Sequence, residues 1–174
     1  ACINALPAIG DDAALYFHRL ALAHEDMHAE AYCWMRAALA YPAPAGVTLP
    51  QVPPAQPLTV PAATTTIGWP AGAAGFAFDN ESPALPVALN AFEIDSAPVR
   101  ALDFARFVDA GGYDEARYWP HAAGAWRAQS PANHPQRWRR TAQSSWQMRW
   151  FDQWVDLNEA LPALHVNAFE AEAY

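Results

Sequence analysis

The stretch Pro42-Ala43-Pro44-Ala45-Gly46-Val47-Thr48-Leu49-Pro50-Gln51-Val52-Pro53-Pro54-Ala55-Gln56-Pro57 separates two kinds of pattern. Proline fixes φ and removes a backbone donor, so residues 43–57 read as an extended, semi-rigid linker. Before it lies one long helical pattern, which Tyr41-Pro42 ends because proline restrains the residue before it. After it come short strand-like runs and one further helix. The chain therefore reads as α+β, with residues 1–42 in one domain and residues 58–174 in another.

The first pattern predicts a helix over residues 11–40. Asp11 and Asp12 stand at its start, where a carboxylate accepts from free amides and suits the helix dipole. At about 100° per residue, Phe17, His24, His28 and Met35 fall on one line, flanked by Leu20, Ala21, Ala31, Ala38 and Leu39. Arg19, Asp26 and Glu30 fall opposite, so the helix is amphipathic with two histidines on its apolar face. No sequence-local partner covers that face. Beyond the linker, Leu58 and Val60, Thr64 to Ile67, and Val87 to Ile94 (with an irregular step near Asn90) read as strands. Residues 98–110 read as a helix on the apolar line Leu102, Ala105 and Val108, stopped by Gly111-Gly112. Residues 117–155, rich in Trp and Arg, are expected to form long packed loops. Asn167 and Glu170 have the spacing of a capping box, but only Ala168 to Tyr174 follow. Both ends read as cut, which makes this an internal piece of a longer protein.

Composition excludes several classes. The chain has 174 residues, 53% of them hydrophobic and 16% charged, which argues against disorder throughout. A net charge of -8 argues against nucleic-acid partners and against anionic membrane surfaces. No run approaches the length of a membrane span, and no secretory leader pattern is visible. Cys2 and Cys33 read as free thiols of a cytoplasmic protein.

The chemistry concentrates in His24-Glu25-Asp26-Met27-His28. Two histidines at i and i+4 on one helix face can share a metal ion, and neutral imidazole suits Fe, Zn, Cu or Ni. A pair of hydrogen-bonded core histidines is the plain alternative. A zinc protease, with Glu25 as general base, is a poorer one. Asp26 puts a charge between the histidines, and no downstream motif of that class is visible.

The helix Leu20-Ala21-Leu22-Ala23-His24-Glu25-Asp26-Met27-His28-Ala29-Glu30-Ala31 resembles the metal-binding helix of the ergothioneine-type nonheme iron sulfoxide synthases. Phe76-Ala77-Phe78-Asp79-Asn80-Glu81 resembles their Phe-x-x-Asp-Asn-Glu motif. Phe92-Glu93-Ile94-Asp95, Pro98-Val99, Phe107-Val108 and Gly111-Gly112-Tyr113 follow in family order, and His165 to Tyr174 looks like the start of the next helix. The ordered set, running from about residue 14 on, is specific where each motif alone is weak. The resemblance implies the C-terminal part of a DinB-like helical bundle, then the N-terminal part of a formylglycine-generating-enzyme-like domain of C-type-lectin-like fold, both incomplete.

It further implies an Fe(II)- and oxygen-dependent oxidoreductase that joins a chalcogen donor to the imidazole ring of hercynine. His24 and His28 match two of three histidine ligands. The third lies in a family region that precedes this sequence, and His18 sits about 120° from His24 on the helix. Met27 stands where many members carry a Gln that contacts the imidazole substrate. The catalytic Tyr of several members falls beyond residue 174. Arg100-Ala101 replace the usual Thr-Asn and remove a helix cap. Arg137-Trp138-Arg139-Arg140, Trp146, Arg149, Phe151-Asp152 and Trp154 look most like the selenoneine synthase branch, which uses a selenosugar. In that branch the enzyme forms a carbon–selenium bond. In the ergothioneine branch the donor is a thiol, γ-glutamylcysteine or cysteine. The plain reading of those residues is loop packing by Trp and carboxylate or carbonyl binding by Arg. A reading of another class makes residues 58–174 a non-catalytic lectin-like binding module, which stoichiometric iron at His24 and His28 would exclude.

Overall fold

Helix α1 spans Asp12–Ala38 and ends as the proline signal requires. Ala40 turns into the left-handed region at φ 57°, and the Tyr41 amide reaches back to the Arg36 carbonyl at 2.9 Å. The computed structural model describes residues 12–174, so Cys2 and Asp11 lie outside the described residues. Downstream come β1 (Pro57–Val60), β2 (Ala63–Ile67), β3 (Leu85–Leu89), β4 (Phe92–Asp95) and α2 (Ala101–Asp109). They are followed by α3 (His121–Gln129), β5 (Trp138–Arg140), β6 (Trp146–Trp150), β7 (Gln153–Asp156) and α4 (Ala168–Ala173). The strands form three small sheets, β1 with β4, β2 with β3, and β5-β6-β7. No helix among the described residues is long and apolar enough to cross a membrane.

Two compact units result. The first takes α1 up to Met35 together with Thr59–Ile94. In it β2 and β3 pair antiparallel, with Ala63 opposite Leu89 and Ile67 opposite Leu85. The loop between them carries the Asp-Asn-Glu motif, which folds on itself. The Phe78 amide donates to Glu81 Oε2 at 2.7 Å and the Asn80 amide to Asp79 Oδ1 at 2.9 Å. Gly68 opens the loop at φ 98°, where a Cβ would sit 2.8 Å from the Glu81 carbonyl oxygen, so only glycine fits. The loop is also tied to α1. Asp12 accepts from the Gly75 amide at 2.8 Å and pairs with Arg19 at 2.5 Å. These bonds hold the Asp12 carboxyl below its usual range, the Gly75 amide contributing most.

The second unit, Arg36–Leu58 with Asp95–Tyr174, holds the buried core. Phe104, Tyr113, Trp119, Trp138, Met148 and Leu161 are its main members. Pro98-Val99 stay extended rather than helical, because the Val99 carbonyl accepts from Ala163 and Arg100 bridges to Pro162. Helix α2 therefore starts at Ala101. Arg100 gives it no side-chain cap and pairs instead with Asp103 at 2.9 Å. Gly111, at φ 81°, ends it as the sequence requires. The predicted box at α4 is present in both directions. The Glu170 amide donates to Asn167 Oδ1 at 3.0 Å, and the Asn167 amide to Glu170 Oε2 at 2.8 Å.

Residues 117–155 correct the expectation of long loops. They contain α3 and the antiparallel sheet β5-β6-β7. The elements are short and their turns carry no ordinary signal. Phe151-Asp152 join β6 to β7, with Phe151 at φ 53°, a position where Gly or Asn is the usual cue. The alternation Trp146, Met148, Trp150 around Gln147 and Arg149 is the period-two pattern that marks β6. Three indole N–H groups find acceptors: Trp119 on Gly112 O, Trp138 on Leu164 O and Trp146 on Asp109 Oδ1, each at 2.9 Å.

The Glu170 side chain is only 2% exposed, and its second oxygen accepts from the Tyr113 hydroxyl at 2.6 Å. Burial, then this bond, push the Tyr113 hydroxyl well above the usual tyrosine range, so Tyr113 stays a donor. Tyr113→Phe is expected to leave Glu170 Oε1 buried without its donor and to cost about 1–3 kcal/mol. Chemical denaturation of the full-length protein checks this, and an unchanged midpoint would refute it.

Candidate metal centre

An α-helix brings residues four apart onto the same face, with side chains leaning toward its N-terminus. On α1 this places the His24 and His28 rings 4.5 Å apart between centroids and nearly perpendicular. Their Nε2 atoms come to 2.9 Å, the distance of a hydrogen bond in which one Nε2–H donates to the other. Two imidazole nitrogens each about 2.1 Å from one ion, at a right angle, lie about 3.0 Å apart. The donor set and its spacing thus fit two adjacent positions on one ion. Among the described residues no group of three His, Cys, Asp or Glu side chains gathers at a metal-binding distance. What α1 offers is two imidazole nitrogens side by side on one exposed face.

Both rings are exposed, as is Met27 beside His28. The expected apolar face has formed a helix, but α1 has no buried residue, and Phe17 and Met35 are exposed. Cys33 is a free thiol on the same helix. His18 is exposed as well.

The remaining histidines serve the second unit. His134 places Nδ1 3.0 Å from the Pro135 carbonyl oxygen, and its ring stands edge-on to Trp146. His165 places Nε2 2.9 Å from the Arg149 carbonyl oxygen, and burial holds its pKa below the usual histidine value. His121 opens α3.

Most of the Trp- and Arg-rich stretch is engaged in packing and pairing within the second unit. Trp138 and Trp146 are buried in the core. Arg140 pairs with Asp109 and lies over the Trp146 ring. Arg139 grips Gln147 Oε1 with two N–H groups and covers Trp154. Arg149 donates to the Ala37 and Ala38 carbonyls at the end of α1. Sequence reasoning missed the Tyr113–Glu170 pair, whose members lie 57 positions apart with no spacing to link them. It also missed the solitary position of Arg137 within the stretch.

Relatives of this chain include several hercynine oxygenases. The chain is 36% identical over 99 residues to the hercynine oxygenase of Mycolicibacterium thermoresistibile, covering 57% of this chain and 21% of that protein. The Mycobacterium tuberculosis hercynine oxygenase is 35% identical over 96 residues, 55% of this chain and 22% of that protein. The Mycolicibacterium smegmatis hercynine oxygenase aligns over 179 positions at 28% identity, covering 99% of this chain and 40% of that protein. The chain thus spans between a fifth and two fifths of the length of these curated relatives. Residues 47–174 match the model of the sulfatase-modifying factor enzyme 1-like domain, so the chain belongs to that family.

Proposed function

We propose that this chain is part of an oxygen-dependent enzyme acting on hercynine. The observation that carries the reading is the alignment with the Mycolicibacterium smegmatis hercynine oxygenase. It runs over 99% of the chain and so takes in α1 as well as the matched domain. We infer that α1 belongs to a DinB-like bundle (residues 1–42), that residues 43–57 link it to the domain of residues 58–174, and that the protein works in the cytoplasm.

In this reading His24 and His28 are two of three imidazole ligands to iron(II), and the third comes from elsewhere in the full-length protein. Bound iron would supply activation of oxygen and a soft-donor position for the chalcogen. The residues of this chain hold the ion and set its direction. The helix places both imidazoles on one face with their Nε2 atoms 2.9 Å apart, so one ion would meet both. Met27, one residue before His28, flanks the imidazole substrate with a flexible apolar side chain in place of an amide. The histidine spacing supports the reading, since 2.9 Å between the two Nε2 atoms is close to what adjacent ligands need.

For the donor we infer a selenosugar, with carbon–selenium bond formation at the hercynine ring. The support is the likeness of residues 137–154 to the selenoneine branch, together with Met27. A selenol is more acidic than a thiol, so it reaches a metal without first losing a proton at neutral pH. The rival donor is a thiol, γ-glutamylcysteine or cysteine.

His24→Ala and His28→Ala in the full-length protein are each expected to remove most of the bound iron and more than nine-tenths of turnover. Iron content by elemental analysis, beside hercynine consumption, decides this. Full iron in both variants would end the assignment. Competition between a selenosugar and γ-glutamylcysteine at equal concentration, read by mass spectrometry, is expected to give mainly the selenium product. A mainly sulfur product would assign the protein to the thiol branch.

A further inference from the structure

All ten Lys and Arg positions of the chain are arginines. Six are ion-paired with carboxylates. Arg36 donates to the Pro42 carbonyl, Arg139 to the Gln147 amide oxygen and Arg149 to the end of α1. That leaves Arg137, whose guanidinium has no hydrogen bond, ion pair or ring contact among the described residues. In a chain with 18 carboxylates, a half-buried arginine left alone needs a physical reason.

Three costs meet at this residue. It is partly removed from water, which penalises its charge. It faces a like charge, because the Arg149 amide donates to the Arg137 carbonyl at 2.8 Å, continuing the β5–β6 ladder by one step. Like charges opposite each other on a ladder are destabilising. Its backbone is left-handed at φ 65°, a conformation that side-chain-bearing residues rarely adopt. Burial and Arg149 together hold the Arg137 pKa below the usual guanidinium value.

Arg137 lines a recess of about 520 Å³ with Trp126, Asn133, Gln136, Asn167 and Glu170. The Glu170 oxygens are committed to Tyr113 and to the Asn167 amide, so they do not neutralise the guanidinium by contact. Asn133 and Gln136 are exposed at the wall and carry amide donors. The volume suits a small molecule.

We propose that this recess binds a small molecule bearing an oxyanion, a carboxylate or a phosphate, held by the Arg137 guanidinium. The planar fork of five N–H donors matches two oxygens of either group, and the anion offsets the Arg137–Arg149 repulsion. Asn133 and Gln136 complete the oxygen contacts, and Trp126 supplies a flat apolar wall. The proposal stands on the second unit alone, so its fate is separate from that of the iron reading.

The test is isothermal titration of full-length protein with malonate and, separately, inorganic phosphate at constant ionic strength. Saturable binding of at least one probe is expected, weakened at least tenfold in Arg137→Gln and unchanged in Arg139→Gln. Preference for malonate would identify a carboxylate ligand, and preference for phosphate a phosphorylated one. Should Arg137→Gln fail to fold, Arg137→Lys keeps the charge without the fork and is expected to bind several-fold more weakly. Absence of saturation with both probes, or equal binding in every folded Arg137 variant, would overturn the proposal.

Discussion

The buried carboxylate of Glu170 is the interaction on which the second unit depends. A carboxylate withdrawn from water must have its charge answered by donors, since an unanswered one is costly. Here one oxygen takes the Tyr113 hydroxyl and the other the Asn167 amide. One donor comes from the turn after α2 and the other from the cap of α4. The same residue thus closes a local cap and joins segments 57 positions apart. Arg127 adds to this joint by donating to the Tyr113 carbonyl at 2.8 Å. Its guanidinium lies 5.8 Å from the Tyr113 ring.

Around that joint the core is aromatic, and an aromatic core with polar tips must satisfy them. Each of these indoles directs its N–H to an acceptor in a connecting segment or at a helix end. Trp138 thereby fixes Leu164 just before α4, and Trp119 fixes Gly112 just after α2. Irregular backbone is held by side chains where no ladder can reach it. This is how a unit whose sheet strands are three to five residues long keeps one arrangement of its loops.

The sequence made visible what depends on near neighbours. The end of α1 shortly before Tyr41-Pro42, the stop of α2 at Gly111 and the box at Asn167 and Glu170 are each set within a few residues. The His24–His28 spacing belongs to the same class, because helical geometry alone converts i, i+4 into proximity. What stayed hidden depends on distant partners or on unusual backbone. The β6–β7 turn uses Phe151 in a left-handed conformation, which no turn rule selects. The solitude of Arg137 is a statement about where all the carboxylates went, and that requires the fold.

The histidine pair shows the limit of local information most directly. Two ring nitrogens 2.9 Å apart need one proton between them, and a single N–H suffices. A metal shared by the same two atoms needs two lone pairs, so that proton must leave or move to the far ring nitrogen. The helix bears the cost of bringing the rings together before any ion arrives. It does not fix which far nitrogen carries a proton, because that choice belongs to the acceptor each Nδ1 finds. Both rings are exposed, and neither Nδ1 has a hydrogen-bond partner among the described residues. On the reading proposed above, the groups that pack over this face of α1 therefore do two things at once. They would supply the third ligand, and they would set the tautomer that lets the first two bind.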